Sequence, residues 1–257
     1  MSLSKLINAV RLGAFSLIFY LIPQLSFADM RTTELTFLEK AIAEGLLSVS
    51  NLEVAGIKNV SIGNEIGREY IKLRMLPTQA RVNRGNRAEL SINFPYEIGD
   101  KVIYEWDMRI PKYSQTDAPL NRWWILGQWH DQPDVNQGEN WNGFPDRSPT
   151  IALGYGVKDG RDVLSLSYGA PDLKPIDIMP IKRNQWYHIR AVIEWAANDT
   201  GSILVFVDNM DTPFANATGR NMHNAYQHYI KLGMYRHPEI QITSEIHIDN
   251  VRIRNGN

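Results

Sequence analysis

A chain of 257 residues with 27 Lys and Arg against 28 Asp and Glu has no charge excess of the kind that binds nucleic acid, so any attraction to an anion must come from a local patch. Hydrophobic residues make up 44% of it, enough for one sizeable core in an all-β domain of this length. Cysteine is absent, which excludes a disulfide framework, a thiolate metal site and a cysteine nucleophile.

The N-terminus reads as an export signal. Lys5 and Arg11 precede an apolar run from Leu12 to Ile22, Pro23 breaks it, and Ser26 and Ala28 flank Phe27 in a small-x-small cleavage pattern. The run is too short to span a bilayer, which takes roughly 20 residues. The chain therefore divides into a signal peptide over 1–28, a lead-in segment over 29–50 and one domain over 51–257. A periplasmic or secreted protein is expected, free of the membrane after cleavage and monomeric.

Within the lead-in, Leu35, Leu38, Ile42 and Leu46 have helical spacing, so a short helix is expected over Thr32 to Leu47. From Asn51 onward the pattern changes to short runs rich in Val, Ile, Tyr and Trp, separated by Gly, Asn, Asp and Pro. That pattern predicts strands over 69–75, 87–94, 101–110, 123–130, 150–157, 163–168, 186–195, 202–207, 229–235 and 244–253. Ten strands and almost no helix make two packed sheets. Loops are expected over 111–121, 131–148 and 208–227, the latter two long enough to be functional.

Two strands carry unusual polar groups. In Arg122-Trp-Trp-Ile-Leu-Gly-Gln-Trp-His130, strict alternation puts Trp124, Leu126, Gln128 and His130 on one face and Trp123, Ile125 and Trp129 toward the core. A buried Gln and His are costly without partners, so an open groove suits them better. In Tyr229-Ile-Lys-Leu-Gly-Met-Tyr-Arg236 the same rule places Tyr229, Lys231, Gly233 and Tyr235 together, with Gly233 leaving room for a ligand near the backbone. Taken singly, each is also what an amphipathic strand with a solvated face looks like.

Together with Arg87-Ala-Glu-Leu90, the segments Gly127-Gln-Trp-His130 and Lys231-Leu-Gly-Met-Tyr-Arg236, in that order, resemble the heparin lyase I and glucuronan lyase group of polysaccharide lyases. The resemblance runs from about Tyr70 to Ile253. It implies a concanavalin-like β-jelly roll of two antiparallel sheets with a concave substrate groove, and a catalytic set of Arg87, Gln128, His130, Lys231 and Tyr235. It also implies an acidic polysaccharide, such as glucuronan, alginate or a related exopolysaccharide, cleaved within the chain by β-elimination.

The chemistry asks for such groups independently. Removing the C5 proton of a uronate requires its carboxylate to be neutralised, by a bidentate Arg87 aided by the Gln128 amide. His130 can take the proton and Tyr235 can protonate the leaving O4, or act as base on the opposite epimer. Lys231 is expected beside Tyr235, favouring its ionised form. Trp124, Tyr229, Trp141, Tyr155, Arg122 and Arg236 are the candidates for substrate contacts. The elimination requires no cofactor and no catalytic metal. A structural calcium ion is an open option, at Asp249 and Glu245 near the end of the last strand. The rival readings are a non-catalytic carbohydrate-binding module and a glycoside hydrolase using Glu105 and Asp107.

Overall fold

The computed structural model describes residues 35–36, 52–114 and 122–256. The signal peptide and nearly all of the expected lead-in helix lie outside these residues. The exception is Leu35–Thr36, which forms strand β1 rather than helix and pairs with the last strand.

All ten expected strands are present, within a few residues of their expected ends. They are β4 (Arg68–Met75), β5 (Asn86–Ile92), β6 (Lys101–Arg109), β7 (Trp124–His130), β8 (Ile151–Lys158), β9 (Arg161–Tyr168), β11 (Trp186–Glu194), β12 (Ser202–Val207), β14 (Tyr229–Arg236) and β15 (Ser244–Asn255). Four more were not expected: β2 (Leu52–Glu53), β3 (Val60–Glu65), β10 (Lys174–Pro180) and β13 (Ala215–Thr218). These four are the outermost strands of the two sheets. One sheet runs β13-β12-β11-β6-β15-β4-β3, with β1 attached to β15, and the other runs β10-β9-β8-β7-β14-β5-β2. Every pairing is antiparallel, giving the β-sandwich jelly roll that the sequence led us to expect.

The core lies between the sheets. Leu73, Trp106, Ile189 and Ile248 of the eight-stranded sheet face Leu90, Trp129, Leu153 and Leu232 of the seven-stranded one, all at most 2% exposed. Trp129 of β7 meets Tyr104 and Trp106 of β6 with ring centroids 5.4 and 6.2 Å apart, so one indole spans the layer. Burying a side chain of this size contributes on the order of 3 kcal/mol, which fixes which face of β7 points inward.

Alternation along β7 is interrupted. Its register against β8 slips between Ile125 and Gly127, and the register of β14 against it slips between Leu232 and Tyr235. Such a bulge puts two consecutive residues on one face. Leu126 is in the core, and a Cβ on Gly127 would also point there, 3.5 Å from Leu232 and 3.8 Å from Trp106. Trp124 and Leu126 consequently face inward, against the expectation from strict alternation. Gln128 keeps the outer face, and Trp123 is 39% exposed.

Gly233 of β14 has φ 146°, and a Cβ there would lie 2.3 Å from the Ala88 carbonyl oxygen and 2.8 Å from Glu89 Cα. Its missing side chain makes room for the neighbouring strand β5, not for a ligand as expected. Gly233→Ala should cost about 3 kcal/mol, from backbone strain plus the clash. A chemical-denaturation midpoint unchanged from wild type would show that β14 and β5 can separate without loss.

Candidate active site

Three strands adjacent in the seven-stranded sheet, β5, β14 and β7, carry the three motifs, and their register lines up the functional side chains. Tyr235 pairs with Arg87, Gly233 with Glu89, Lys231 with Gln128, and Tyr229 with His130. Segments up to 148 residues apart, as Arg87 and Tyr235 are, thus meet on the outer face of one sheet. The five catalytic candidates all lie on this face.

Its centre is a desolvated charge cluster. Arg87 and Lys231 are 7% and 5% exposed. Buried so far, each needs a counter-charge, since an unpaired buried cation costs several kcal/mol. Glu53 of β2 supplies one: Lys231 Nζ reaches its two oxygens at 2.8 and 3.0 Å, Arg87 Nη1 donates to it at 3.1 Å and Asn83 Nδ2 at 3.0 Å. Glu89 supplies the other, accepting from Arg87 Nη1 at 3.3 Å and from the Gln128 amide at 2.6 Å. Burial pushes the Glu53 carboxyl up, but Lys231 and Arg87 outweigh it and hold the group below its usual range. For Glu89, wholly buried, desolvation prevails over the same two cations and its pKa is raised.

Lys231 does not stand beside Tyr235. Four residues along an extended strand span about 13 Å, and the ammonium turns to Glu53 and over the Tyr229 ring at 5.2 Å. The cation against Tyr235 is Arg87, its guanidinium carbon 4.1 Å from the ring centroid, with Trp123 on the ring's edge at 4.6 Å. Among the described residues, the Tyr235 hydroxyl has no hydrogen-bond partner.

His130 is held from both sides. Its Nδ1 lies 2.7 Å from a carboxylate oxygen of Asp131 and 3.0 Å from the Asp131 carbonyl, and its Nε2 is 2.9 Å from the Arg147 carbonyl. All three neighbours are acceptors. Asp131, fully buried, also pairs with Arg147 at 2.9 Å. Burial pushes the Asp131 carboxyl up, yet His130 and Arg147 hold it below its usual range.

The substrate-contact candidates divide. Tyr229 lies on the site face between His130 and Trp141, with ring centroids 6.2 Å from each, and Trp141 is 62% exposed. Trp124 and Tyr155 are not on this face: each is 2% exposed and they pack edge-to-face in the core at 5.0 Å, for the bulge turns Trp124 inward and Tyr155 sits on the inner side of β8. Arg236, 1% exposed, is likewise on the inner side, donating to the Ser244 hydroxyl and the Ile242 carbonyl. Arg122, just before the start of β7, pairs with Glu239 at 3.3 Å.

The carboxylates proposed for a hydrolase, Glu105 and Asp107, belong to β6 in the opposite sheet and are held there by Arg190, Arg254, His188 and Arg68. Asp249 and Glu245, considered for calcium, face Arg68 and the His247–Tyr113 pair. No three metal-binding side chains converge among the described residues.

Glu53, Asp131 and Arg147 were not singled out from sequence, and Glu89 was quoted without a role. Glu89 was findable, since alternation puts it on Arg87's face. Asp131→Asn should lower stability at neutral pH by roughly 2–4 kcal/mol, because it leaves Arg147 and His130 without a buried counter-charge. A depressed folded pKa stabilises above the unfolded value of about 3.9 and is lost as pH falls through the folded one. The gap between wild type and variant, read from urea midpoints, should therefore close below about pH 4; a gap independent of pH would rule out the ion pair as its source.

Comparison with known proteins bears on the family and the fold. The family model described as polysaccharide lyase matches residues 43–252. No curated protein matches the chain. Among solved structures, an endo-β-1,4-glucuronan lyase from the fungus Trichoderma reesei superimposes with a TM-score of 0.54 at 15% identity, covering 76% of this chain and 86% of that one. The alginate lyase AlyC3 gives 0.51 at 14% identity, covering 73% and 75%. At such identities the likeness is one of fold.

Proposed function

Because the chain belongs to the polysaccharide lyase family, we propose that it cleaves a uronic-acid-containing polysaccharide, be it glucuronan, alginate or a related exopolysaccharide, within the chain by β-elimination on the face of Arg87, Gln128, His130, Lys231 and Tyr235. The observation that carries this reading is the Glu53 carboxylate seated on Arg87 and Lys231. A carboxylate lying between two desolvated cations supports the reading, because a uronate needs such a setting next to the bond that breaks.

Binding is then an exchange of one carboxylate for another. Glu53 belongs to a two-residue strand at the sheet edge whose pairs among the described residues are Leu52–Leu90 and Glu53–Glu89, so its withdrawal breaks few of the described backbone pairings. With the sugar carboxylate in its place, Arg87 and Lys231 offset the negative charge that grows as the C5 proton leaves. Gln128 gives one amide hydrogen to Glu89, and its second is available for the same oxygens. The electron pair of the C5–H bond forms the C4–C5 double bond while the C4–O4 bond breaks, and O4 takes up a proton. Acceptor and donor are His130 and Tyr235. The Tyr235 hydroxyl has no hydrogen bond to break among the described residues, whereas His130 accepts a proton only after Nε2 parts from the Arg147 carbonyl. The proposal includes export, with cleavage after Ala28, on the strength of the apolar run that precedes it.

Turnover of a polyuronate should yield the ultraviolet absorbance of an unsaturated uronate end, and a new reducing end without it would contradict elimination. Tyr235→Phe keeps the ring on Arg87 and loses the transferable proton, so kcat should fall at least about 100-fold with little change in KM. Glu53→Gln removes the competing anion, and KM for the polyuronate should fall about fivefold or more at unchanged kcat, since the binding-competent fraction rises. A higher KM would instead make Glu53 a positioning group for the two cations.

A further inference from the structure

Past His130 the site face opens into a cavity of about 420 Å³, large enough for a sugar ring by the usual size of ligand pockets. It is continuous with the catalytic face: Trp141 on its wall touches Tyr229, which borders His130. Asn93 of its floor lies two residues beyond Ser91, the cross-strand partner of Lys231, so the cavity begins about 7 Å further along the sheet.

The lining differs chemically from the centre of the site. Its polar groups are the carboxamides of Asn93, Gln132, Asn140 and Gln227, and its aromatic groups are Trp141 and Tyr226. Among the described residues, no Lys or Arg lines it, and the one carboxylate that does, Glu139, accepts from the Asp134 backbone N–H at 2.9 Å. Arg147, adjacent through Phe144, is committed to Asp131. The walls are tied together, with Gln132 Nε2 donating to the Asn93 side chain and the Gln227 carbonyl and Asn224 donating to the Gln132 carbonyl.

We propose that this cavity is a subsite for an uncharged sugar, and hence that the substrate is a heteropolymer in which uronic acid and neutral sugar residues are joined. The proposal rests on the lyase reading above. Carboxamides donate and accept, as hydroxyls do, and the exposed Trp141 face suits the C–H side of a pyranose. A uronate placed here meets Glu139 and no counter-charge, in contrast to the central position, where two cations await it.

The test compares elimination of a homopolymer of uronic acid with elimination of a polymer alternating uronic acid and neutral hexose, at equal uronate concentration. Wild type should show kcat/KM about tenfold or more higher on the alternating polymer, a factor that one unpaired like charge can supply. Glu139→Lys should raise the homopolymer value and bring the two within about threefold. Val135→Lys, on a 66% exposed wall residue, introduces the cation without touching the Glu139 hydrogen bond and should act in the same direction if Glu139→Lys unfolds the loop. Equal or better use of the homopolymer by wild type, or a ratio that neither lysine changes, overturns the subsite while leaving the lyase intact. Absence of unsaturated product from both polymers removes the lyase reading instead. Calorimetry with saturated oligosaccharides then decides the cavity separately: tighter binding of the neutral one, weakened by Trp141→Ala, supports it, and tighter binding of the uronate overturns it.

Discussion

Two cations removed from water set the conditions that the rest of the site meets. Arg87 and Lys231 stand on neighbouring strands with almost no exposure, and the cost of leaving either unpaired is comparable to a large part of a domain's net stability. Glu89 answers this from within β5, and Glu53 answers it from β2. The short β2 strand therefore adds little as a strand and much as the carrier of a carboxylate. Two positive and two acidic groups in one cluster make it nearly neutral as a whole, with the Glu53 carboxylate between the two cations.

The same requirement explains the division of labour around the cluster. Glu89 cannot leave, being wholly buried and tied to Gln128, so it orients the amide and the guanidinium. Glu53 has fewer backbone pairings among the described residues, and the proposed exchange accordingly assigns the withdrawal to it. At the other end Asp131 anchors His130 and Arg147 together, which attaches the 131–148 loop to the face that carries the five candidates and positions the wall of the amide-lined cavity. Charge therefore changes along the sheet, from paired cations to neutral hydrogen-bonding groups, within a few residues of each strand.

Much of this was legible in the chain. Strands buried on one or both faces have long runs of Val, Ile, Leu and aromatic residues, and all ten of those were visible as strands. Of the five that were not, β1 lay in a stretch with helical spacing, and the other four are sheet edges, where one side meets solvent and apolar content falls. β10 contains Pro175 and Pro180, which a central strand does not tolerate and an edge does. β2 has two residues and no pattern to detect. The assignment of Trp124 to the site failed for a different reason: one extra residue at Leu126–Gly127 reverses every face before it, and the bulge arises from packing against β8 and β14.

The sequence by itself determined the fold class, the order of the inner strands and the five polar residues that alternation places away from the core, because these depend on local periodicity and residue type. It determined Glu89's face as well, two positions from Arg87. Only the tertiary structure decided which strands are neighbours, and hence that Tyr235 stacks on Arg87, that Lys231 binds Glu53 and that His130 is enclosed by Asp131 and Arg147. Those contacts join residues as much as 178 positions apart. Their energies come from desolvated charge and cross-strand register, and neither quantity exists until the sheets have closed.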